Sequence, residues 1–319
     1  MIEAGRYKTQ RCLGCYQPIE TGYYHPKCSK ALFGQLEPPL LEASASEVDE
    51  FAQKFLNRRL TVTGVQRKLS LDVQHDDKSR LTIVGSLGGR FIMKPPSPDY
   101  EQMPEIEDLC MHLAKVCGIK TALHGLVPMK DGALSYVTKR FDRKGKKKVA
   151  VEDLCQLSEL LTEQKYRSSH ERAGKVIRLY SSVPGDDVLR FFELIVFSFL
   201  IGNNDMHLKN FSLITDEPQA IRLSPAYDLL AVRLLLSAKE DPEQLALSTN
   251  GKKAKLKSSD FMKLAESLQI PQKVALRTIS GFANAAENMQ HWIDASFISS
   301  EKKVELKKLI ETHLEVLTS

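Results

Sequence analysis

Gly202-Asn203-Asn204-Asp205-Met206-His207-Leu208-Lys209-Asn210-Phe211 is the densest polar cluster in the chain. It follows directly on an apolar run, 191–201, and precedes a short apolar stretch, 211–214. Polar groups set between two segments that favour burial are costly unless each has a partner or a task. Asp205 and Asn210 stand five positions apart. Protein kinases use an Asp and an Asn at that spacing, the first to accept the proton of the acceptor hydroxyl and the second to hold Mg²⁺.

Two further groups complete such a site. Downstream, Ser224-Pro225-Ala226-Tyr227-Asp228 offers a second carboxylate. Mg²⁺ takes hard oxygen ligands, commonly one or two carboxylates plus the nucleotide phosphates, so Asn210 and Asp228 suit it. Upstream, Phe91-Ile92-Met93-Lys94-Pro95 reads as a strand ending in a lysine, and phosphoryl transfer needs a cation over the phosphates. A helix carrying Glu105 and Glu107 follows, and a carboxylate there can hold Lys94 as kinases do. Periodicity does not choose between the two glutamates. Taken singly, a lysine at a strand end is more often a surface residue. The order of strand lysine, helix glutamate, Asp/Asn loop and second Asp is what gives the set its weight.

The surrounding pattern divides the chain. Leu69, Leu71 and Val73 alternate with Lys68, Ser70 and Asp72, which predicts a half-buried strand. Further strands are expected at 80–84, 90–94, 124–129 and 133–140, and a helix at 105–116 with Gly118 after it. After Phe141 the pattern turns mostly helical, with helices expected at 152–161, 171–179, 186–201, 225–236, 259–267, 271–285 and 300–317. An earlier helix is expected near 47–56, behind a Pro38-Pro39 linker. The fold class is therefore α+β, with a strand-rich N-lobe at 37–141 and a helical catalytic C-lobe at 142–319.

Composition narrows the class. The 319 residues are 42% hydrophobic, enough for a sizeable core and too much for a disordered chain. A formal charge of +5 is only mildly basic, which does not suggest an obligate nucleic-acid binder. No stretch reaches the roughly 18 apolar residues of a membrane helix, and no signal peptide is visible, so a cytoplasmic protein is expected.

The first 36 residues are rich in Cys, Tyr and Gly and read as a separate module. Cys12-x-x-Cys15 and His25-x-x-Cys28 are two ligand pairs, and three thiolates with one imidazole suit a closed tetrahedral Zn²⁺ site. So short a segment has little core, and metal would supply its folding energy. A tail without metal, with these spacings by chance, is the plain alternative. Cys110, Cys117 and Cys155 lie among apolar residues and read as small core side chains.

The sequence resembles the HipA family of bacterial serine/threonine toxin kinases from Leu60 onward. The resemblance rests on Thr63-Gly64-Val65-Gln66-Arg67-Lys68-Leu69, Phe91-Ile92-Met93-Lys94-Pro95, Lys139-Arg140-Phe141-Asp142-Arg143, the 201–211 segment and Pro225-Ala226-Tyr227-Asp228. It implies a two-lobed, protein-kinase-like (HipA-like) fold, here behind a zinc-ribbon-like module. By the resemblance, Lys94 contacts the ATP phosphates and Asp205 is the catalytic base, with His207 beside it in the catalytic loop. Asn210 and Asp228 bind Mg²⁺. The segment from Val137 through Lys139 to Phe141 holds adenine, and Gly64 and Gln66 belong to the loop over the phosphates. The helix carboxylate matches Glu107 better than Glu105. Thr61 and Thr63 match autophosphorylation sites.

Against full-length HipA the chain lacks an N-terminal subdomain and is more similar to short HipT-type toxins. The resemblance thus implies a HipB-like helix-turn-helix antitoxin, a small HipS-like antitoxin, or both, with DNA contacted only through the antitoxin. It also implies a protein substrate such as an aminoacyl-tRNA synthetase. The basic runs 143–148 and 252–257 read first as solvated loops, and as contacts to an acidic surface only second. Two other functions fit parts of the pattern: a catalytically silent, zinc-containing scaffold for a DNA-bound antitoxin, and a small-molecule or lipid kinase.

Overall fold

The computed structural model describes residues 10–56, 67–75, 79–84, 88–145, 147–216 and 220–319. Thr61, Thr63, Gly64 and Gln66 lie outside them. The chain forms two compact units.

The first unit comprises Met1–Asp108, Ala122–Arg140 and Ala295–Phe297. Its elements are α1 (Pro26–Phe33), α2 (Ala45–Leu56), β1 (Leu69–His75), β2 (Ser79–Ile83), β3 (Phe91–Lys94), the start of α3 (Met103–Val116), β4 (His124–Pro128) and β5 (Leu134–Lys139). The strands make one five-stranded antiparallel sheet in the order β2-β1-β3-β5-β4. The alternation read from the sequence holds, with Leu69, Leu71 and Val73 all buried. β3 lies in the middle, flanked by β1 and β5, and its register sets Lys94 opposite Tyr136.

Both outer strands of this sheet are accompanied by the N-terminal segment. Leu40 bonds to Ser79 O and Leu81 N along β2, at 3.0 and 2.8 Å. On the other side Leu13 O accepts from Leu126 N of β4 at 3.4 Å. The segment also holds a helix that the pattern had not suggested. α1 begins on Pro26 and ends at Gly34 with φ +83°, the usual asymmetry of proline at the start and glycine past the end.

The second unit comprises Leu109–Thr121, Phe141–Asp294 and Ile298–Ser319. It holds β6 (Arg143–Lys144), β7 (Lys147–Lys148), β8 (Val151–Asp153), α4 (Leu154–Leu157), α5 (His170–Tyr180), α6 (Pro184–Leu200), β9 (Ser212–Asp216), β10 (Ala220–Leu223), α7 (Ser258–Ser267), α8 (Gln272–Ala295) and α9 (Ser300–Thr318). The α+β class is as expected, and α5, α6, α7 and α9 fall within two residues of the predicted bounds. α8 runs ten residues longer than predicted.

Three expectations are corrected here. The helix at 152–161 is a strand followed by one helical turn, because β8 pairs with β9 before Asp153 caps α4 through Gln156 N. The helix at 225–236 is a loop with one 3-10 turn at Val232–Leu234. Asp228 there has φ +60°, which no helix interior accommodates, and Ala226 N bonds to Lys120 O at 2.8 Å instead of to its own segment. The basic loop at 143–148 carries a short two-stranded ladder, β6 with β7.

α6 is the centre of the second unit's core. Phe191, Phe192, Ile195, Val196, Phe197, Phe199 and Leu200 are all fully buried, so the helix is apolar on nearly every side. It is stopped by Gly202, whose φ is +69°. A Cβ at that glycine would lie 2.8 Å from both Arg233 Cβ and Leu309 Cδ2. Only glycine meets the backbone and the space together.

Candidate functional site

The candidate residues fall into two groups, one in each unit. In the first unit Lys94 ends the central strand and is 3% exposed. Its Nζ donates to Glu107 Oε1 at 2.5 Å, and Glu107 is 1% exposed. An unpaired ammonium at such depth would carry a desolvation cost of several kcal/mol, which the carboxylate offsets. The same ammonium lies 5.6 Å from the centroid of the Tyr136 ring. The structure therefore selects Glu107 where periodicity left Glu105 equal; Glu105 is only half-buried. Val137 is buried in β5 opposite Met93 and Gly125. Lys139 follows it, with its N–H donated to Leu123 O at 2.7 Å.

In the second unit, the polar loop after α6 explains its own composition. Asn203 N bonds back to Ser198 O at 2.8 Å, and Asn203 Oδ1 accepts from Asp205 N at 3.2 Å. Asn204 Nδ2 donates to Asp241 Oδ2 at 2.6 Å and to Glu243 O at 3.0 Å. Arg233 ties the same region together, donating to Asp241 O and Glu243 O at 2.6 Å each, while its own N–H reaches Gly202 O at 3.1 Å. His207 N and Asn210 Nδ2 both donate to Asp205 O, at 2.9 and 3.0 Å. The result is a loop in which Asn203, Asn204, His207 and Asn210 are buried and Asp205 is exposed. A carboxylate held by a fixed backbone and presented outward is what a general base requires.

His207 is electrostatically close to both carboxylates. Burial lowers its pKa, and the negative charges of Asp205 and Asp228 pull it partly back. The ring is therefore neutral at pH 7. Asp228 adopts φ +60°, a conformation Asp tolerates better than most residues. The residue before it is pinned: Tyr227 Oη donates to Lys209 O at 2.9 Å and shares a 2.6 Å hydrogen bond with Ser212 Oγ. Phe141 packs against Tyr227 at 5.5 Å. Lys209 itself pairs with Asp153 at 2.7 Å and so supports the loop from β8.

Asn210 fits a hard cation. Its Nδ2 is occupied by the Asp205 carbonyl, so the amide's other polar atom, an oxygen acceptor, is the one a Mg²⁺ ion would take. Sequence reasoning missed Tyr166. It donates to Asp205 Oδ1, stands edge-on to His207 at 5.0 Å, and carries Lys165 Nζ 5.0 Å from its ring centroid. The only signal for it was a single aromatic in the polar run 162–169.

The N-terminal ligands also come together. One ligand atom from each of Cys12, Cys15, His25 and Cys28 lies within 4.8 Å of all the others. A tetrahedral Zn²⁺ with bonds near 2.3 Å places its sulfurs about 3.8 Å apart, so the spread is of the right size. His25 Nδ1 faces Cys15 Sγ at 3.3 Å, and His25 Nε2 lies 3.0 Å from Pro18 O. An imidazole that gives one N–H to a carbonyl keeps the other nitrogen as a lone pair, the arrangement of a metal ligand. Burial pushes the Cys28 thiol up to about 12, which disfavours a thiolate with no cation beside it.

Comparison with known proteins identifies the family and the fold. A family model described as the HipA-like C-terminal domain matches residues 60–290. "Putative kinase Y4dM" of Sinorhizobium fredii is 34% identical over 234 residues, which cover 69% of this chain and 56% of that protein. The chain thus spans about half the length of this curated relative. Among solved structures, one chain of the Shewanella oneidensis MR-1 toxin–antitoxin complex of HipA, HipB and operator DNA superposes with a TM-score of 0.69 at 21% identity, covering 88% of this chain and 71% of that one. The Helicobacter pylori proinflammatory kinase CtkA gives a TM-score of 0.55 at 15% identity, covering 78% of this chain and 93% of its own. Both likenesses concern the fold, which is the α+β, kinase-like fold expected.

Proposed function

Because the chain belongs to the family of HipA-like C-terminal domains, we propose that it is a serine/threonine protein kinase toxin of a toxin–antitoxin system, transferring the γ-phosphate of ATP to a protein. The observation that carries this reading is the buried Lys94–Glu107 pair at the end of a central strand. Kinases use such a pair to hold a lysine over the phosphates. A scaffold has no need of it and would be as stable with apolar residues there.

In this reading Lys94 binds the ATP phosphates and Glu107 fixes its ammonium. Asp205 accepts the proton of the acceptor hydroxyl, and His207, neutral and packed on Tyr166, shapes the loop beside it. Asn210 and Asp228 are the Mg²⁺ ligands; the ion, when bound, neutralises charge on the transferring phosphoryl group. The 137–141 segment, with Val137, Lys139 and Phe141, holds the adenine. Gly64 and Gln66 contribute to the loop over the phosphates, and Thr61 and Thr63 are its autophosphorylation sites. Cys12, Cys15, His25 and Cys28 bind a structural Zn²⁺.

The partners in this reading are a HipB-like helix-turn-helix antitoxin, a small HipS-like antitoxin, or both, with DNA reached only through the antitoxin. The substrate is an aminoacyl-tRNA synthetase. In this reading the protein and its target are cytoplasmic. No described helix is long and apolar enough to cross a membrane.

Incubation with labelled ATP and a lysate, followed by identification of the labelled species, tests the proposal. A labelled protein band supports it. A labelled lipid or metabolite shifts the acceptor class, and no label at all leaves the scaffold.

A further inference from the structure

The N-terminal four-ligand module is tied by a buried hydrogen bond to Asp108, the neighbour of Glu107 on α3, inside the first unit. Tyr16 follows Cys15 directly. Its backbone has φ +59°, and its N–H bonds to Cys12 O at 2.8 Å. The turn that brings Cys12 and Cys15 together therefore also sets the direction in which the Tyr16 side chain leaves. That side chain is 1% exposed, with its ring edge-on to Phe297 at 5.0 Å. Its hydroxyl donates to Asp108 Oδ2 at 2.7 Å. Asp108 is fully buried and its other oxygen lies 2.6 Å from His124 Nδ1 on β4. Asp108 is the next residue after Glu107 on α3.

A second link runs parallel to the first. Tyr24 Oη donates to Leu126 O at 2.8 Å. The fit is close enough that a Cβ on Gly125 would lie 2.3 Å from that hydroxyl, and a Cβ on Gly14 would lie 2.6 Å from the Tyr24 ring. The module therefore grips the sheet and the helix at two defined points, one of them a hydrogen bond to a buried carboxylate. Such bonds are the stronger and more directional kind.

We propose that Tyr16 and Asp108 are positioning residues through which the metal-binding module fixes α3, and with it Glu107, against Lys94. The inference rests on the reading of Lys94 as the phosphate-binding cation, and it assigns the N-terminal module a part in nucleotide affinity. The metal holds the Cys12–Cys15 turn, the turn aims Tyr16, and Tyr16 holds the helix by its buried carboxylate. Loss of the metal loosens α3 without touching any residue that meets the nucleotide.

The test compares wild-type protein, Tyr16→Phe and chelator-stripped wild-type protein by three readouts. These are zinc content, amide hydrogen exchange of α3, and affinity for a non-hydrolysable Mg-ATP analogue. Tyr16→Phe keeps the ring and removes only the hydroxyl. It is expected to retain about one zinc per chain, while α3 exchanges about tenfold faster and the analogue binds about tenfold more weakly, the scale of one lost hydrogen bond to a charged group. Stripping the wild type should produce the same two changes, and stripping Tyr16→Phe should add little, because both act through one route. Asp108→Asn serves where Tyr16→Phe does not fold. Native α3 exchange and native affinity in a zinc-replete Tyr16→Phe protein would overturn the proposal, as would wild-type protein that contains no zinc. Wild-type protein that fails to bind the analogue refutes the kinase reading instead, and the exchange comparison still decides whether the module holds α3.

Discussion

Tyr166 donates its phenolic hydrogen to Asp205 Oδ1, the exposed carboxylate of a loop in which Asn203, Asn204, His207 and Asn210 are buried. The phenol is held in turn by the edge contact to His207, and Leu208 N donates to Lys165 O at 3.2 Å beside it. Burial and the neighbouring Asp205 charge push the Tyr166 pKa upward, so it stays a donor throughout the working pH range. One carboxylate oxygen is thereby fixed, and the rotation of the other is fixed with it.

Tyr166→Phe should therefore lower kcat by about tenfold while leaving KM for ATP and for the protein substrate nearly unchanged, as befits an interaction that matters in the transition state. Steady-state kinetics with the labelled substrate checks this. An increase in kcat would mean that Tyr166 shields Asp205 from the acceptor.

Asp205→Ala and Asp228→Ala should each reduce phosphoryl transfer by about a hundredfold or more, the usual scale for one charged group at a transferring phosphoryl. Both proteins should keep the wild-type circular dichroism spectrum. Nucleotide binding should weaken more in Asp228→Ala, since metal and nucleotide bind together. Near-native activity in Asp205→Asn would remove Asp205 from the role of base.

Phosphate is expected on Thr61 or Thr63 after incubation with Mg-ATP, and not in an Asp205→Ala protein. Each added group brings about −1.5 to −2 charges, and on the proposed reading of this loop the modified protein should bind ATP more weakly. Intact and peptide mass spectrometry with a parallel binding assay reads both effects. An unmodified loop in active enzyme refutes the assignment.

Gly202→Ala should destabilise the chain by about 2–4 kcal/mol in urea unfolding, because it combines a left-handed backbone with overpacking. Gly118→Ala is the control. Its φ is +81° but nothing stands within 4 Å of the new Cβ, so only the conformational part, about 1 kcal/mol, should appear.

His170 supplies a pH dependence. Burial lowers its pKa to about 3, and its Nδ1 lies 2.7 Å from Thr249 Oγ1. Below its unfolded value near 6.5 the unfolded chain takes a proton that the native ring refuses, so stability falls as pH drops from about 6.5 toward 3. At pH 5 the loss is about 2 kcal/mol. Thermal melts at pH 7.5 and pH 5 should differ accordingly, and His170→Gln should narrow the difference. An equal shift in both proteins would place the effect elsewhere.

The parts of the site that were legible in the sequence are those whose chemistry and periodicity coincide. The lysine closing an apolar strand and the polar loop closing an apolar helix both stand out, because each interrupts a segment that must be buried. Glu107 could not be separated from Glu105 by angle alone; what separates them is the depth to which the packed sheet and helix take one of them. Tyr166 comes from a stretch with no period, and its role depends on a contact 39 positions away. The false helix at 225–236 has a related cause. Leu229, Ala231, Val232 and Leu234 are buried in a loop, where apolar spacing carries no secondary-structure meaning.

The N-terminal segment runs along both outer strands of the five-stranded sheet, Leu40 beside β2 and Leu13 beside β4. Unpaired outer strands are templates on which another chain can add a strand, and the usual outcome is aggregation. Here one stretch of chain sets a residue against each border, Leu40 on β2 and Leu13 on β4. Disturbing residues 10–40 would therefore show itself first as self-association and poor solubility, before any change in the helical unit.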